Sequence, residues 1–269
     1  MARTINRILV TGAAGRLGSA VRQGLRGQYE LVRLSDMAEM EPAGEGEEVI
    51  VTNLNEAETV ASLCEGIDAV VHLGGQPREA DWPTIINSNL IGAINLWEGA
   101  RIHGVDRVLF ASSNHAVGLH RREVTLDHTT PARPDTRYGL SKAFGEDLAA
   151  LYAFKWGVKA FCMRIGACAP EPINERALHI FQSYDDFVRL VRAGLAADYT
   201  YEIVYGVSAN RDLWWDNSRA TELGYTPEDT AEDWREKVAG VLPVDAVDAA
   251  FQGGIFASTE FTADPVKVP

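Results

Sequence analysis

The stretch TGAAGRLG, residues 11–18, restricts the possible folds of this chain more than any other, because it sets three glycines at three-residue spacing inside a sharp change of periodicity. Before it, RILVTG is a short apolar, β-branched run that reads as a strand. After it, RLGSAVRQGLRG has helical periodicity and is closed by Gly27. Strand, tight turn and helix in that order predict a parallel crossover unit. The missing Cβ atoms at Gly12 and Gly15 allow a backbone to approach a pyrophosphate, and Gly18 allows the helix to pack close to the strand. The helix start then offers unpaired N–H groups and the positive end of its dipole to the phosphates.

The alternation continues downstream. A second apolar run, YELVRLSD, ends at Asp36, eighteen residues past Gly18, where a carboxylate can accept hydrogen bonds from the ribose hydroxyls of an adenosine. It would repel a ribose 2′-phosphate, so NAD is expected rather than NADP, although Arg16 and Arg33 argue mildly the other way. EVIVT leads to Asn53, a helix is expected from about Glu56 to Glu65, and DAVVHLGG (68–75) reads as the next strand. A crossover helix is expected to begin after Asp81 and to stop at a Gly104 cap, before the strand RVLFASS. The fold class is therefore α/β, a doubly wound parallel sheet of Rossmann type. Residues 1–166 are expected to form the dinucleotide-binding core with the catalytic residues, and 167–269 a small substrate-binding region packed on it as one structural unit. His72, at the end of a buried strand, and His103, in a last helical turn, are read as structural.

Bulk properties exclude several alternatives. Hydrophobic residues make up 46% and charged residues 23%, ordinary globular usage, and no low-complexity linker divides the chain. The formal net charge of -13, with acidic clusters at 39–48 and 227–237, repels phosphate backbones and anionic lipid over a Debye length of ~8 Å, which argues against nucleic acid and membrane partners. The opening residues lack the apolar core of a secretory signal, and no apolar stretch approaches the ~20 residues that span a bilayer. Cys64, Cys162 and Cys168 form no CxxC pair, which suits reduced thiols and a cytoplasmic location, and no cluster of metal ligands is present.

Chemistry enters with TRYGLSK, residues 136–142. A long helix is expected from near Asp135 to Gly157, so Tyr138 and Lys142, one turn apart, share a face. A nearby ammonium favours the phenolate and would make the hydroxyl a usable base. By itself such a pair is common. Together with TGAAGRLG and with Ser113 in FASSNHAVG, it resembles the extended short-chain dehydrogenase/reductase family, in which a T-G-x-x-G-x-x-G turn, a Ser or Thr after the fifth strand and Y-x-x-x-K occur in this order. The resemblance covers about the first 165 residues. It implies that Tyr138 takes the proton of a substrate hydroxyl while hydride passes to the nicotinamide, that Lys142 keeps the phenol acidic and holds the nicotinamide ribose, and that Ser113 orients the substrate oxygen. Ser112 is the rival for that last role, but an alternating strand turns it the other way. The cofactor contacts it implies are Gly12, Gly15, Arg16, Leu17, Gly18, Asp36, Asn53, Leu54, Leu73, Gly74 and Lys142, with Gly75 on the substrate side. Asn89 is read as a helix-distorting residue or the holder of a water.

The further motifs HLGG, RIGACAPEPINER, WWDNS and FQGGIF are similar to those of uronate dehydrogenases within this family, which oxidise the anomeric carbon of glucuronate or galacturonate to an aldarolactone with NAD. The residue chemistry fits a sugar acid: Ser113, Asn114 and His115 stand consecutively beside Tyr138, and Arg176 can clamp a carboxylate unless Glu171 or Glu175 pairs with it at the surface. Phe256, next to two glycines, can close over the sugar, while Trp214 and Trp215 fit a core or a subunit contact. Ala167 and Pro77 replace polar residues of the relatives, and Asn53 stands where aspartate is usual, which bears on substrate preference. A nucleotide-sugar epimerase or dehydratase is the alternative, disfavoured because only about a hundred residues follow Ile165. A non-catalytic dinucleotide-sensing regulator would have no reason to keep Ser113, Tyr138 and Lys142 together. Self-association as a homo-oligomer is expected.

Overall fold

Strand β1 (Arg7–Thr11) sends Ile8 and Val10 into one apolar cluster and Leu9 into another, so both faces of its sheet must be covered. In the computed structural model, which describes residues 4–269, helices supply that cover on both sides of a seven-stranded, wholly parallel sheet. The strands are β1, β2 (Leu31–Asp36), β3 (Glu47–Val51), β4 (Ala69–His72), β5 (Arg107–Ser113), β6 (Lys159–Ile165) and, after a short ribbon of β7 (Ala167–Cys168) with β8 (Phe181–Gln182), β9 (Tyr201–Gly206). Their order is β3-β2-β1-β4-β5-β6-β9, a doubly wound Rossmann-type sheet with its switch point between β1 and β4.

Helices α1 (Arg16–Leu25), α2 (Ala57–Leu63), α3 (Trp82–Ile85), α4 (Gly92–Ile102), α5 (Arg137–Trp156), α6 (Ala177–Ile180) and α7 (Tyr184–Ala196) connect these strands. Val21 and Leu25 of α1 pack with Phe187, Leu190 and Val191 of α7 on one face. Val60 of α2, Trp97 of α4 and Tyr152 of α5 pack on the other. Both α7 and β9 lie beyond residue 166, so that region contributes a strand and a covering helix to the nucleotide fold as well as the segments near the substrate side. No helix among the described residues is long and apolar enough to cross a membrane.

The crossover expected to be one regular helix is not. Between α3 and α4 the chain widens into a π-helical turn, Ile86–Ile91, with Asn89 buried inside it. The side chain of Asn89 accepts from the Gln76 N–H at 2.7 Å and donates to the Gln76 carbonyl at 3.1 Å and to Ser141 Oγ at 2.8 Å. Those three bonds tie the loop after β4 to α5, and they occupy the amide that was a candidate water holder. Periodicity alone does not reveal such a turn, because the bonds that hold it come from residues far away in sequence.

Two glycines of the first turn answer to close approach. Gly12 has φ +71°, and a Cβ there would stand 2.7 Å from the Gly74 nitrogen. A Cβ on Gly18 would overlap the Gly12 carbonyl. Gly12 thus serves the packing of β1 against the loop after β4 in addition to any ligand.

A buried ion pair fixes α5 to the sheet. Arg164 on β6 donates from Nε and Nη2 to the Glu146 carboxylate on α5 at 2.9 and 2.8 Å, and Ser112 donates to the same carboxylate at 2.5 Å. Both partners are almost wholly buried. Removing one charge leaves the other unpaired in a low-dielectric interior, so Glu146→Gln should lower unfolding free energy by about 3 kcal/mol. Urea denaturation should show a lower midpoint with an unchanged slope.

Candidate active site

A cleft of about 850 Å³ opens where the strand order reverses. The expected cofactor residues Gly12, Gly15, Arg16, Leu17, Gly18, Asp36, Asn53, Leu54, Leu73 and Gly74 line it, together with Gly75 and Pro77. Ser35, Met37, Thr52, Gln76, Arg78, Thr84, Ser88 and Cys168 join them without having been anticipated, because they arrive from strand ends and loops with no motif. The start of α1 at Gly15 carries no side-chain cap, which leaves its N–H groups for an anion. Asp36 accepts from the Ala14 N–H at 3.0 Å and from the Ala38 N–H at 3.0 Å, so its carboxylate is held at the tip of β2 beside the glycine turn. Arg33 is committed elsewhere, to Glu48 and to the carbonyls of Leu63 and Glu65, which removes it as a partner for a 2′-phosphate. Thr52 Oγ1 is buried in the cleft wall without a hydrogen-bond partner, an orphaned polar atom of the kind a nucleoside satisfies. These residues fit NAD. Asn53 uses its Oδ1 locally, on the Asn55 N–H.

Tyr138 is the second residue of α5. Thr136 caps that helix by accepting from Gly139, and Glu79 receives the Tyr138 N–H at 2.8 Å while pairing with Arg137 at 2.6 Å. At the end of β5 the two serines diverge: Ser112 turns to Glu146, whereas Ser113 lies close enough to the Tyr138 phenol to favour its ionised form and accepts from the His115 N–H at 3.2 Å. Burial pushes the Tyr138 phenol up to about 12, with the Ser113 hydroxyl pulling it down and the Asp135 charge pushing it up. Lys142 does not touch the phenol in the protein alone. Its ammonium donates to the Ala111 carbonyl at 2.8 Å and sits 5.5 Å from the centre of the Tyr138 ring, and burial lowers it to about 8. The expected acidifying contact from lysine to tyrosine is therefore replaced by a lysine pinned to the strand. His72 hydrogen-bonds Thr11 at 2.7 Å and is driven down to about 3 by burial and then by the Lys142 charge, so it stays neutral.

Around Tyr138, outside the lining of the cleft, the chain gathers residues from far apart. The His115 ring stacks on Phe256 with centroids 4.1 Å apart and meets the Tyr138 ring edge-on at 5.9 Å. Asn114, with its amide nitrogen donating to the Ile165 carbonyl, accepts from Arg176 Nη2 at 2.9 Å. Arg176 Nε donates to the Gln252 carbonyl at 2.8 Å. Among the described residues no carboxylate lies within ion-pair distance of Arg176; Glu171 pairs with Lys237 and Glu175 accepts from the Gly240 N–H. Burial lowers the Arg176 guanidinium to about 10, partly offset by Asp135. Trp215 is core: it stacks on Tyr205 at 4.6 Å and donates to Gln252 at 2.8 Å, while Trp214 stacks on His179. Ala167 lies in β7, where the short ribbon begins. Asp135 escaped the sequence reading except as a helix boundary, although an aspartate just before a capping threonine beside Y-x-x-x-K was visible.

The model of the NAD dependent epimerase/dehydratase family matches residues 8–172, from β1 through α5 and past β6. The chain belongs to that family. It is 45% identical over 258 residues to a uronate dehydrogenase of Pseudomonas syringae pv. tomato, covering 94% of each protein. Its fold superimposes with a TM-score of 0.89 on a mutant uronate dehydrogenase from Agrobacterium tumefaciens complexed with NAD, at 43% identity over 95% of this chain and 98% of that one. A glucuronic acid dehydrogenase from Chromohalobacter salexigens matches with a TM-score of 0.91 at 42% identity, covering 98% and 100%.

Since burial dominates at Tyr138, its phenol should resist ionisation in the cofactor-free protein. The difference in 295 nm absorbance between wild type and Tyr138→Phe should stay flat until above pH ~10, the ordinary tyrosine value. A titration centred near pH 7 without cofactor would contradict the burial argument.

Proposed function

We infer that this protein is an NAD-dependent dehydrogenase that oxidises hexuronic acids, D-glucuronate and D-galacturonate, at the anomeric carbon to give the aldarolactone. The observation that carries the substrate class is Arg176: a desolvated guanidinium with no carboxylate partner of its own, joined through Asn114 to the segment that bears Ser113 and His115. A buried cation left unpaired costs several kcal/mol unless a ligand supplies the anion. A sugar carboxylate does so, and a fork of N–H donors can hold it in two parallel bonds. In a protein of net charge -13 that local positive site also offsets the general repulsion of an anionic substrate. The relatives named uronate dehydrogenase and glucuronic acid dehydrogenase, at 42–45% identity over nearly the whole chain, support the same class.

Within this reading each residue has a task. Ser113, beside Tyr138, orients the C1 hydroxyl of the sugar, and Tyr138 receives its proton. Lys142, within 5.5 Å of the phenol ring, contributes positive potential from its place on the Ala111 carbonyl. His115 presents a ring nitrogen to the sugar hydroxyls, Asn114 holds Arg176 in place, and Phe256 covers the site from the tail. Asp36 and the glycine turn would hold NAD along the cleft, where it would supply the acceptor for the C1 hydride. Phenol deprotonation is costly in so buried a site, so Tyr138 holds its proton in the protein alone.

The test follows NADH absorbance with galacturonate, glucuronate, galactose and glucose, with NADP as the cofactor control. Uronates with NAD should be turned over, and the neutral sugars should react far more slowly. Arg176→Ala should raise KM for uronates by about 10- to 100-fold, the scale of a lost charge-assisted hydrogen bond, with little change in NAD binding. Equal rates for galactose and galacturonate in the wild type would reject the carboxylate clamp. Tyr138→Phe should lower kcat by roughly 10²- to 10⁴-fold.

A further inference from the structure

A second carboxylate stands behind the substrate side, and neither the family motifs nor the proposed reaction gives it a role. Asp135 Oδ2 is 2.7 Å from His115 Nδ1, and the aspartate side chain is fully buried. Its other oxygen, Oδ1, accepts from the Thr136 hydroxyl at 2.8 Å. Backbone bonds reinforce the pair, since the Asp135 N–H donates to the His115 carbonyl at 3.3 Å. Two glycines leave room for the carboxylate: a Cβ on Gly118, just past the turn that carries His115, or on Gly253, in the C-terminal tail, would overlap Oδ2. Two segments distant in sequence thus make space for one carboxylate whose side-chain partners, among the described residues, are a histidine and a threonine hydroxyl.

We propose that Asp135 is a positioning residue that holds the His115 ring proton on Nδ1, so that Nε2 faces the sugar as a hydrogen-bond acceptor. The chemistry follows from the groups. An ionised carboxylate can only accept, so the nitrogen it meets must carry the proton, and in a neutral imidazole the other nitrogen is then an acceptor. Among the described residues, Nε2 has no hydrogen-bond partner, while the ring is only 12% exposed, stacked on Phe256 and edge-on to Tyr138. A fixed acceptor beside the reacting centre selects a ligand that brings a donor there, and a sugar hydroxyl is such a donor. The same arrangement, a carboxylate setting the tautomer of a working histidine, recurs wherever one imidazole nitrogen must be kept free. This inference rests on the reading of the site as one for a sugar acid.

Asp135→Asn tests it. Because the Thr136 hydroxyl donates to Oδ1, the asparagine oxygen stays on that side and its NH2 group faces Nδ1. The His115 proton is then driven to Nε2, which becomes a donor. Nitrogen-15 spectra of the histidine rings, with His115 assigned by its absence in His115→Ala, should show the Nδ1–H tautomer in wild type and the Nε2–H tautomer in Asp135→Asn. The uronate KM of Asp135→Asn should rise about tenfold, the loss of one hydrogen bond in a water-excluded site, with NAD affinity unchanged. The Asp135→Asn/His115→Ala double variant should be no worse than His115→Ala alone, because Asp135 acts through that ring.

An Nε2–H tautomer in the wild type would overturn the proposal, and that measurement needs no variant other than the assignment control. Additive losses in the double variant, or an unchanged KM in Asp135→Asn, would overturn it too. A wild type that oxidises no uronate would defeat the functional reading instead, and the tautomer spectra would still decide the role of Asp135.

Discussion

The docking of α5 against the carboxyl end of β5 is the contact on which the remaining geometry rests. Lys142 donates to the Ala111 carbonyl and Ser112 to Glu146 on the helix, so two successive residues of the strand hold the helix by different groups, with Ser113 next in line beside Tyr138. The Glu146–Arg164 pair extends the attachment to β6. Fixing Tyr138 this way places a buried phenol beside Ser113 and leaves the lysine committed to the strand. Rigid supports of this kind let a base work, because little reorganisation remains to be done when the substrate arrives.

Charge is distributed with the same economy. The chain as a whole carries -13, yet Arg176 is desolvated with no carboxylate among the described residues in ion-pair range, and the acid that acts most on it is the buried Asp135. Asp135 is in turn directed at His115 and not at the guanidinium. Separating the two charges leaves the arginine in need of an anion while the aspartate sets the state of a histidine. The C-terminal tail takes part in both, through the Gln252 carbonyl on Arg176, Gly253 against Asp135 and Phe256 stacked on His115.

Much of this was legible in the linear chain. The glycine turn and alternating periods gave the doubly wound sheet, and the motif order gave the cofactor cleft, because those features depend on neighbours in sequence: a positive φ at Gly12, a carboxylate at the end of β2, a tyrosine and lysine one helical turn apart. The π-helical turn around Asn89 was not legible, since it is imposed by hydrogen bonds to Gln76 and Ser141, residues that periodicity cannot place nearby. Thr52 was passed over for Asn53 because nothing in a single sequence says which of two adjacent polar groups is turned inward.

The amino-acid sequence by itself determined the layer architecture, the preference for NAD and the placing of Tyr138 and Lys142 one helical turn apart, all of which follow from local spacing and from the chemistry of single side chains. Tertiary structure decided which partners those side chains took. It sent Lys142 to Ala111, freed Arg176 from the glutamates beside it and brought Asp135 to His115. The physical reason is that a hydrogen bond or an ion pair depends on distances of a few ångströms between atoms, and residues twenty to over a hundred positions apart acquire such distances only when the sheet, its helices and the tail have packed.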